Sequence, residues 1–250
     1  MGRRRFYAPP EAFSRHSRIV NLEADEARHL REVLRLKPGD DVYVFDGAGK
    51  EFHCTIESSR RDTAELRVLE EVPPARPESP LQLTLAVALL KSDKFDLVVQ
   101  KATELGVVAL VPVQTKLADI KLKDESDASK RLVRWRRIAL EAAKQSGRAL
   151  VPEVTAPVSF TDLIRAQASA DHKLIFSERD GQPLESLGTG TNPDSLTALV
   201  GSEGGWTDAE LEEASSAGWK VITLGGRTLR AETAAIAVTV LLQHRFGDLR

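Results

Sequence analysis

Two glycine-rich stretches near the C-terminus hold the side chains and backbone groups best suited to chemistry. The first is Leu199-Val200-Gly201-Ser202-Glu203-Gly204-Gly205-Trp206. The second is Leu224-Gly225-Gly226-Arg227-Thr228-Leu229-Arg230-Ala231-Glu232-Thr233. Glycines let a chain turn sharply and bring its backbone close to a ligand. The phosphate-binding fingerprints are absent: there is no G-x-x-x-x-G-K-[ST], and residues 201–205 do not fit G-x-G-x-x-G. Glu203 would repel a polyphosphate, so a cationic or zwitterionic ligand suits the loop better. Arginines occur only in the second stretch, as Arg227 and Arg230, with Glu232 the nearest titratable neighbour. A fixed arginine can stabilise negative charge that develops on a substrate oxygen. Taken singly, each loop is an ordinary strand–helix connection; two such loops in succession favour a shared binding crevice.

The flanking patterns say what positions these loops. Leu196–Val200 is a short apolar run that predicts a buried strand, and Lys220–Thr223 predicts another. Thr207-Asp208-Ala209-Glu210 is a capping box opening a helix that ends at Gly218. A further helix begins near Ala231. Strands that end in glycine loops and lead into helices place those loops at the C-terminal edge of an open α/β sheet, where such sheets bind ligands.

The rest of the chain divides at a run of prolines. Residues up to about 72 read as a small β-rich unit. Its strands are expected at Phe6-Tyr7, Ile19-Val20, Val42–Phe45, Glu51–Ile56 and Thr63–Leu69, and its helix at Glu23–Leu34, with Ala27, Leu30, Val33 and Leu34 on one face. Lys37-Pro38-Gly39-Asp40 and Asp46-Gly47-Ala48-Gly49 are turns. A small barrel fits this pattern. Arg3, Arg4, Arg5, Arg15, Arg18, Arg28, Arg31, Arg35 and Lys37 gather here beside Phe6 and Tyr7. Arginine next to aromatic rings suits phosphate contact and base stacking, so an RNA-binding surface is preferred to a merely solvated one. Pro73, Pro74, Pro77 and Pro80 make 73–80 a semi-rigid linker.

From residue 81 strands and helices alternate, which means α/β with a mainly parallel sheet. Strands are expected at Leu83–Ala88, Val107–Val113, Glu153-Val154 and Leu174–Phe176; helices at Lys94–Leu105, Lys130–Ser146 and Phe160–Ala166; loops at Lys116–Ser126 and Gly188–Pro193. Glu104, Glu141, Gln145, Ser146 and Arg148 form a polar group that reads equally as a catalytic face or as an ion-pair network. The terminal helix Ala231–Gln243 is apolar nearly all round, which calls for burial by its own domain or by a second subunit.

GSEGGW followed by LGGRTLRAETA resembles the C-terminal signature of the SPOUT superfamily of S-adenosylmethionine-dependent RNA methyltransferases, and within it the ribosomal RNA small subunit methyltransferase E family. Leu89–Lys94, Gln100–Gly106, Glu141–Arg148, Ser177-Glu178-Arg179, Arg4–Tyr7 and Arg28–Arg35 extend the resemblance over essentially the whole chain. It implies a PUA-like RNA-binding domain over 1–72 and a SPOUT domain over 81–250 with a C-terminal trefoil knot and a homodimer interface. The implied activity is methylation of N3 of one uridine in the 16S rRNA of the small subunit. The implied cofactor contacts are Leu199, Val200, Gly201, Glu203, Gly204, Leu224, Gly225, Leu229, Ala231, Thr233, Phe176 and Ser177. Arg230, Arg227 and Glu232 are the implied catalytic group. Arg3, Arg4, Arg5, Arg28, Arg31, Arg35 and Arg148 are the implied RNA contacts. Leu199, Leu224 and Leu229 are expected to sandwich the adenine, and Glu203 to bind ribose hydroxyls or favour the positive sulfur. Thr228 departs from the aliphatic residue often found there in the family. The alternatives are a SPOUT enzyme acting on transfer RNA or a ribose 2′-OH, and a non-catalytic RNA-binding assembly factor.

Composition agrees with these expectations. The 250 residues carry a formal net charge of −2, so nucleic-acid binding must come from local patches. Cys54 is the single cysteine, which forbids an internal disulfide and fits a reducing compartment; its place in an alternating strand makes it a packing residue. No apolar run approaches the ~20 residues of a membrane span. Met1-Gly2-Arg3-Arg4-Arg5 lacks the apolar core of a signal peptide, so the cytoplasm is expected. The five histidines are scattered, and no metal site is expected.

Overall fold

A computed structural model of the chain describes residues 3–14, 17–166, 170–187 and 193–249. Arg15, His16 and the loop expected over 188–193, apart from Pro193, lie outside these residues. The chain forms two units: Met1–Glu78 with Leu140–Val151, and Ser79–Ala139 with Pro152–Arg250.

In the first unit, β1 (Arg5–Tyr7), β2 (Ile19–Glu23), β3 (Asp41–Phe45), β4 (Glu51–Ser59) and β5 (Thr63–Val72) make one sheet in the order β1-β3-β4-β5-β2. β1 lies parallel to β3, and the other pairs are antiparallel. Alternate residues of each strand face one core: Val20 and Leu22, Val42 and Val44, Cys54 and Ile56, Ala64 and Leu66. This period of two is what a half-buried sheet requires. Phe6 is part of that core and fully buried, so it is not a stacking platform for a base.

α1 (Ala24–Arg28) continues into a π-helical turn over His29–Val33. The extra residue in that turn shifts the helical phase. Ala27 and Leu30 stay in the core, while Val33 (65% exposed) and Leu34 (38%) turn outward, and Leu36 takes the next inward place. The expected four-residue apolar face is therefore cut to two.

The second unit contains β6 (Gln82–Ala88), α2 (Ser92–Glu104), β7 (Ala109–Gln114), α3 (Glu125–Ser146, through Ala139), β8 (Glu153–Val154), β9 (Val158–Ser159), α4 (Phe160–Ala166), β10 (His172–Phe176), β11 (Gln182–Pro183), β12 (Ser195–Val200), α5 (Asp208–Ser216), β13 (Lys220–Thr223) and α6 (Ala231–Phe246). The sheet runs β11-β13-β10-β12-β6-β7-β8, with β9 also on β7, and every pair is parallel. Residues 196–200 are all buried, as a parallel strand covered on both faces should be. Phe160, Leu163 and Ile164 of α4, with Ala214 of α5, close over Val111, Val113, Ile175 and Leu199. α6 packs on α2, β6 and β12.

The capping box of α5 is present in full. Thr207 Oγ1 accepts from Glu210 N–H, and the Glu210 carboxylate accepts from Thr207 N–H. Glu210 is buried and also accepts from Lys116 N–H at 3.0 Å, so one carboxylate fixes both the helix start and the end of β7. Two polar side chains of α6 bond inside the unit: Thr239 donates to Ala235 O, and Gln243 Oε1 accepts from Ser79 Oγ at 2.7 Å, while Gln243 Nε2 is buried with no hydrogen-bond partner among the described residues. It is not buried on all sides, because Val240 (38% exposed) and Leu241 (39%) face outward. No helix among the described residues is long and apolar enough to cross a membrane.

Candidate functional site

Three neighbouring strands, β13, β10 and β12, end level with one another: Phe176 pairs with both Val200 and Ile222. Their exits at 177–181, 201–206 and 224–230 thus converge at one edge of the sheet. Hydrogen bonds tie the exits together. Trp206 Nε1–H donates to Phe176 O at 2.8 Å, Ser177 N–H to Ile222 O at 2.9 Å, and Gly181 N–H to Thr223 Oγ1 at 3.0 Å. Arg179 donates to Asp208 at 2.6 Å and to Trp206 O at 3.3 Å, and the Asp208 carboxylate holds its guanidinium above the ordinary arginine value.

Two features depend on glycine. A Cβ on Gly204 would lie 2.6 Å from Leu117 O, so only glycine lets this loop approach the chain after β7. Gly225 and Gly226 take φ of +72° and +76°, the left-handed region other residues avoid.

The three exits enclose a cavity of about 360 Å³. That lies within the range of small-molecule pockets. Of the twelve residues expected to contact a cofactor, ten line it: Val200, Gly201, Glu203, Gly204, Leu224, Gly225, Leu229, Ala231, Phe176 and Ser177. Leu199 points into the core beneath with Ile175 and Trp206, and Thr233 is exposed on α6 outside the lining. Arg227 lines the cavity, whereas Arg230, the residue before α6, and Glu232 stand outside its lining. Glu178, Arg179, Ser202, Gly205, Trp206, Thr223, Gly226, Thr228, Ala234 and Val238 complete the wall. Val238 is one residue the sequence did not mark: it faces the cavity from within an apolar helix that reads as core.

The charges are arranged with some care. Glu203 does not reach freely into the cavity, because its Oε1 accepts from Lys94 Nζ at 2.6 Å. This bond holds the Glu203 carboxyl below its ordinary range and the Lys94 ammonium above its own. Glu232 Oε2 lies 3.6 Å from the same ammonium, so Glu232 faces Lys94 and is not clamped by Arg227 or Arg230. Those two arginines make no side-chain hydrogen bond or ion pair among the described residues. Ser202 Oγ is buried, lines the cavity and has no partner among the described residues, which leaves it for a ligand. Leucines, backbone amides and a free hydroxyl together suit a flat apolar ring with a polar edge. No group of His, Cys, Asp or Glu among the described residues could hold a metal ion.

In the first unit, the expected RNA contacts separate into two sets. Arg5 is committed inside the unit. It pairs with the fully buried Glu51 at 3.1 Å and donates to the carbonyls of Lys144 and Arg148, capping the end of α3. Arg148 is likewise buried, paired with Glu78 at 2.7 Å. Lys144 pairs with Glu26 at 2.5 Å, and Ser146 Oγ bonds back to Ala142 O. Arg148, Glu141 and Ser146 are thus held by local pairs and a back-bond, Glu141 lying 3.8 Å from Lys144, whereas Glu104 pairs with Lys101 of its own helix and stands apart from them. Arg3 is exposed but pairs with Glu51 and lies over the Tyr43 ring, and Arg31 donates to Arg60 O. Arg4, Arg28 and Arg35 are exposed.

Residues 77–243 match the RNA methyltransferase domain model, and residues 22–69 match the RNA methyltransferase PUA domain model. The chain belongs to the ribosomal RNA small subunit methyltransferase E family. It is 33% identical to that protein from Bacillus subtilis over 239 residues, 92% of this chain and 91% of the relative. With the Synechocystis protein of the same name it shares 35% identity over 218 residues, 86% of this chain and 69% of the relative. Among solved structures, it matches the Neisseria gonorrhoeae ribosomal RNA small subunit methyltransferase E bound to S-adenosylmethionine (TM-score 0.87, 35% identity, all of both chains). A Legionella pneumophila protein solved with the same cofactor matches with TM-score 0.88 and 31% identity over all of both chains.

Proposed function

We propose that this chain transfers the methyl group of S-adenosylmethionine to N3 of a uridine in the 16S rRNA of the small ribosomal subunit. The observation that carries the reading is the convergence of two glycine loops and Arg227 on one cavity, with Arg230 unpaired at the start of α6, in a member of this family. Val200, Leu224, Leu229 and Val238 would hold the adenine, and Ser202 Oγ and the glycine-loop amides would meet its polar groups. When bound, the cofactor supplies a methyl group on a positively charged sulfur.

The acceptor sets the remaining demands. Uracil N3 lies on the Watson–Crick edge and carries a proton, so the base must be unpaired or flipped out before reaction. Loss of that proton spreads negative charge onto O2 and O4. Arg230, with Arg227 beside it, stabilises that charge in the manner of an oxyanion hole. Glu232 is occupied by Lys94, so the proton leaves to water. Exposed Arg4, Arg28 and Arg35 bind the RNA backbone from the N-terminal unit. A second copy of the chain covers Leu97 of α2 with Val240 and Leu241 of α6, each of which is exposed; sedimentation of a dimer would support this and of a monomer would reject it.

Arg230→Ala should abolish methyl transfer while cofactor affinity, measured by calorimetry, stays within about threefold, an energy well under one hydrogen bond to a charged group. Unchanged turnover in that variant would reject the assignment.

A further inference from the structure

Lys94 occupies the first turn of α2, where the positive end of the helix dipole disfavours a cation. Its ammonium nevertheless sits between two carboxylates from distant parts of the chain, 2.6 Å from Glu203 Oε1 and 3.6 Å from Glu232 Oε2. Glu232 Oε2 is buried and has no hydrogen-bond partner among the described residues, so the ammonium is the counter-charge beside it. α2 follows β6, the sheet neighbour of β12. One side chain thus spans from the exit of β6 to the loop after β12 and to the start of α6. Glu203 belongs to the loop that walls the cavity, and Glu232 lies two residues beyond Arg230. Lys94 itself is not in the cavity wall, so whatever it does passes through these partners.

We propose that Lys94 is a positioning residue for methyl transfer: its ammonium pins the Glu203 loop to the first turn of α6 and so fixes Arg230 relative to the cofactor cavity. The claim rests on the methyl-transfer reading above. Without the pin two like charges face each other across the gap, and the loop and the helix start move apart. Reaction geometry is sensitive to such shifts, since a displacement of about 1 Å can cost about a hundredfold in rate.

The test uses the 250-residue chain in four variants: Lys94→Met, Lys94→Arg, Glu203→Gln, and Lys94→Met with Glu203→Gln. Lys94→Met should lower kcat by about tenfold or more while KM for the RNA stays within about twofold. Lys94→Arg should recover much of the rate. Because Glu203 also walls the cavity, kcat is compared at saturating cofactor; there the double variant should be no slower than Lys94→Met alone, since both changes break the same bridge. A wild-type kcat in Lys94→Met, or losses that multiply in the double variant, would overturn the proposal. Amide hydrogen exchange reads the pin without turnover. Lys94→Met should lose protection together at Gly205 N–H, which bonds to Ser202 O, and at Ala234 N–H, which bonds to Arg230 O, and Lys94→Arg should keep it at both. Unchanged protection in Lys94→Met would also overturn the proposal. If the wild-type protein transfers no methyl group, the functional reading fails on its own, and the exchange result still decides whether Lys94 joins the two segments.

Discussion

The indole N–H of Trp206 donates to the main-chain carbonyl of Phe176 at 2.8 Å, which fastens the end of one glycine loop to the exit of the neighbouring strand. Both residues are buried, so neither group has water as a substitute. Trp206→Phe keeps the ring and removes the donor. It should cost about 1–3 kcal/mol, the penalty for an orphaned buried acceptor. Urea unfolding checks the energy, and calorimetry should show weaker cofactor binding in the same variant. An unchanged midpoint and affinity would mean the bond does not organise the cavity.

The glycines should answer differently to substitution. At Gly204 any Cβ meets the Leu117 carbonyl, so Gly204→Ala and Gly204→Asn should both weaken cofactor binding by about tenfold or more, an energy of about 1.4 kcal/mol. At Gly225 a Cβ meets nothing within 4 Å, and only the left-handed backbone matters. Gly225→Asn should be tolerated, because asparagine enters that region readily, whereas Gly225→Val should be much worse. Calorimetric titration of the four variants separates the two cases.

Arg148 and Arg35, both implied as RNA contacts, should behave differently, because only Arg148 is buried in an ion pair. Arg148→Ala breaks the pair with Glu78, whose side chain keeps some solvent contact. The expected loss of stability is on the order of 2–3 kcal/mol, somewhat below the figure for a fully buried pair. Arg4→Glu with Arg35→Glu should leave the melting temperature unchanged and weaken RNA binding, more so at low salt. Reversed results would restore Arg148 to the RNA interface.

Cys54 should be inert in the folded protein. Burial pushes its thiol up to about 12, so almost no thiolate exists at neutral pH. A maleimide or disulfide reagent at pH 8 should label it only at the rate of unfolding. Rapid labelling of native protein would contradict its place in the core.

Local patterns reached far into this structure. The capping box at Thr207 and Glu210, the helix Phe160–Ala166 and the strand Lys220–Thr223 follow from cap chemistry and periodicity, which act within a few residues. The glycine loops were legible as a pair for the same reason. The adjacency of β10, β12 and β13 was not, because parallel pairing joins strands far apart in the chain. The π turn after Arg28 leaves no signal in the spacing of Ala27, Leu30 and Val33. Arg5 and Arg148 read as surface cations because their partners, Glu51 and Glu78, are distant in sequence. Lys94 and Glu203 are 109 positions apart, so nothing local could join them. Long-range charge pairing decided the fates of Arg5, Arg148 and Lys94.

The central claim is tested most directly by supplying S-adenosylmethionine labelled on its methyl group, together with small ribosomal subunits that lack the modification. The RNA is then digested and its nucleosides are read by mass spectrometry. The account predicts labelled 3-methyluridine with the wild-type protein and none with Arg230→Ala. Label in another nucleoside, or no label from a protein that binds the cofactor, would contradict it.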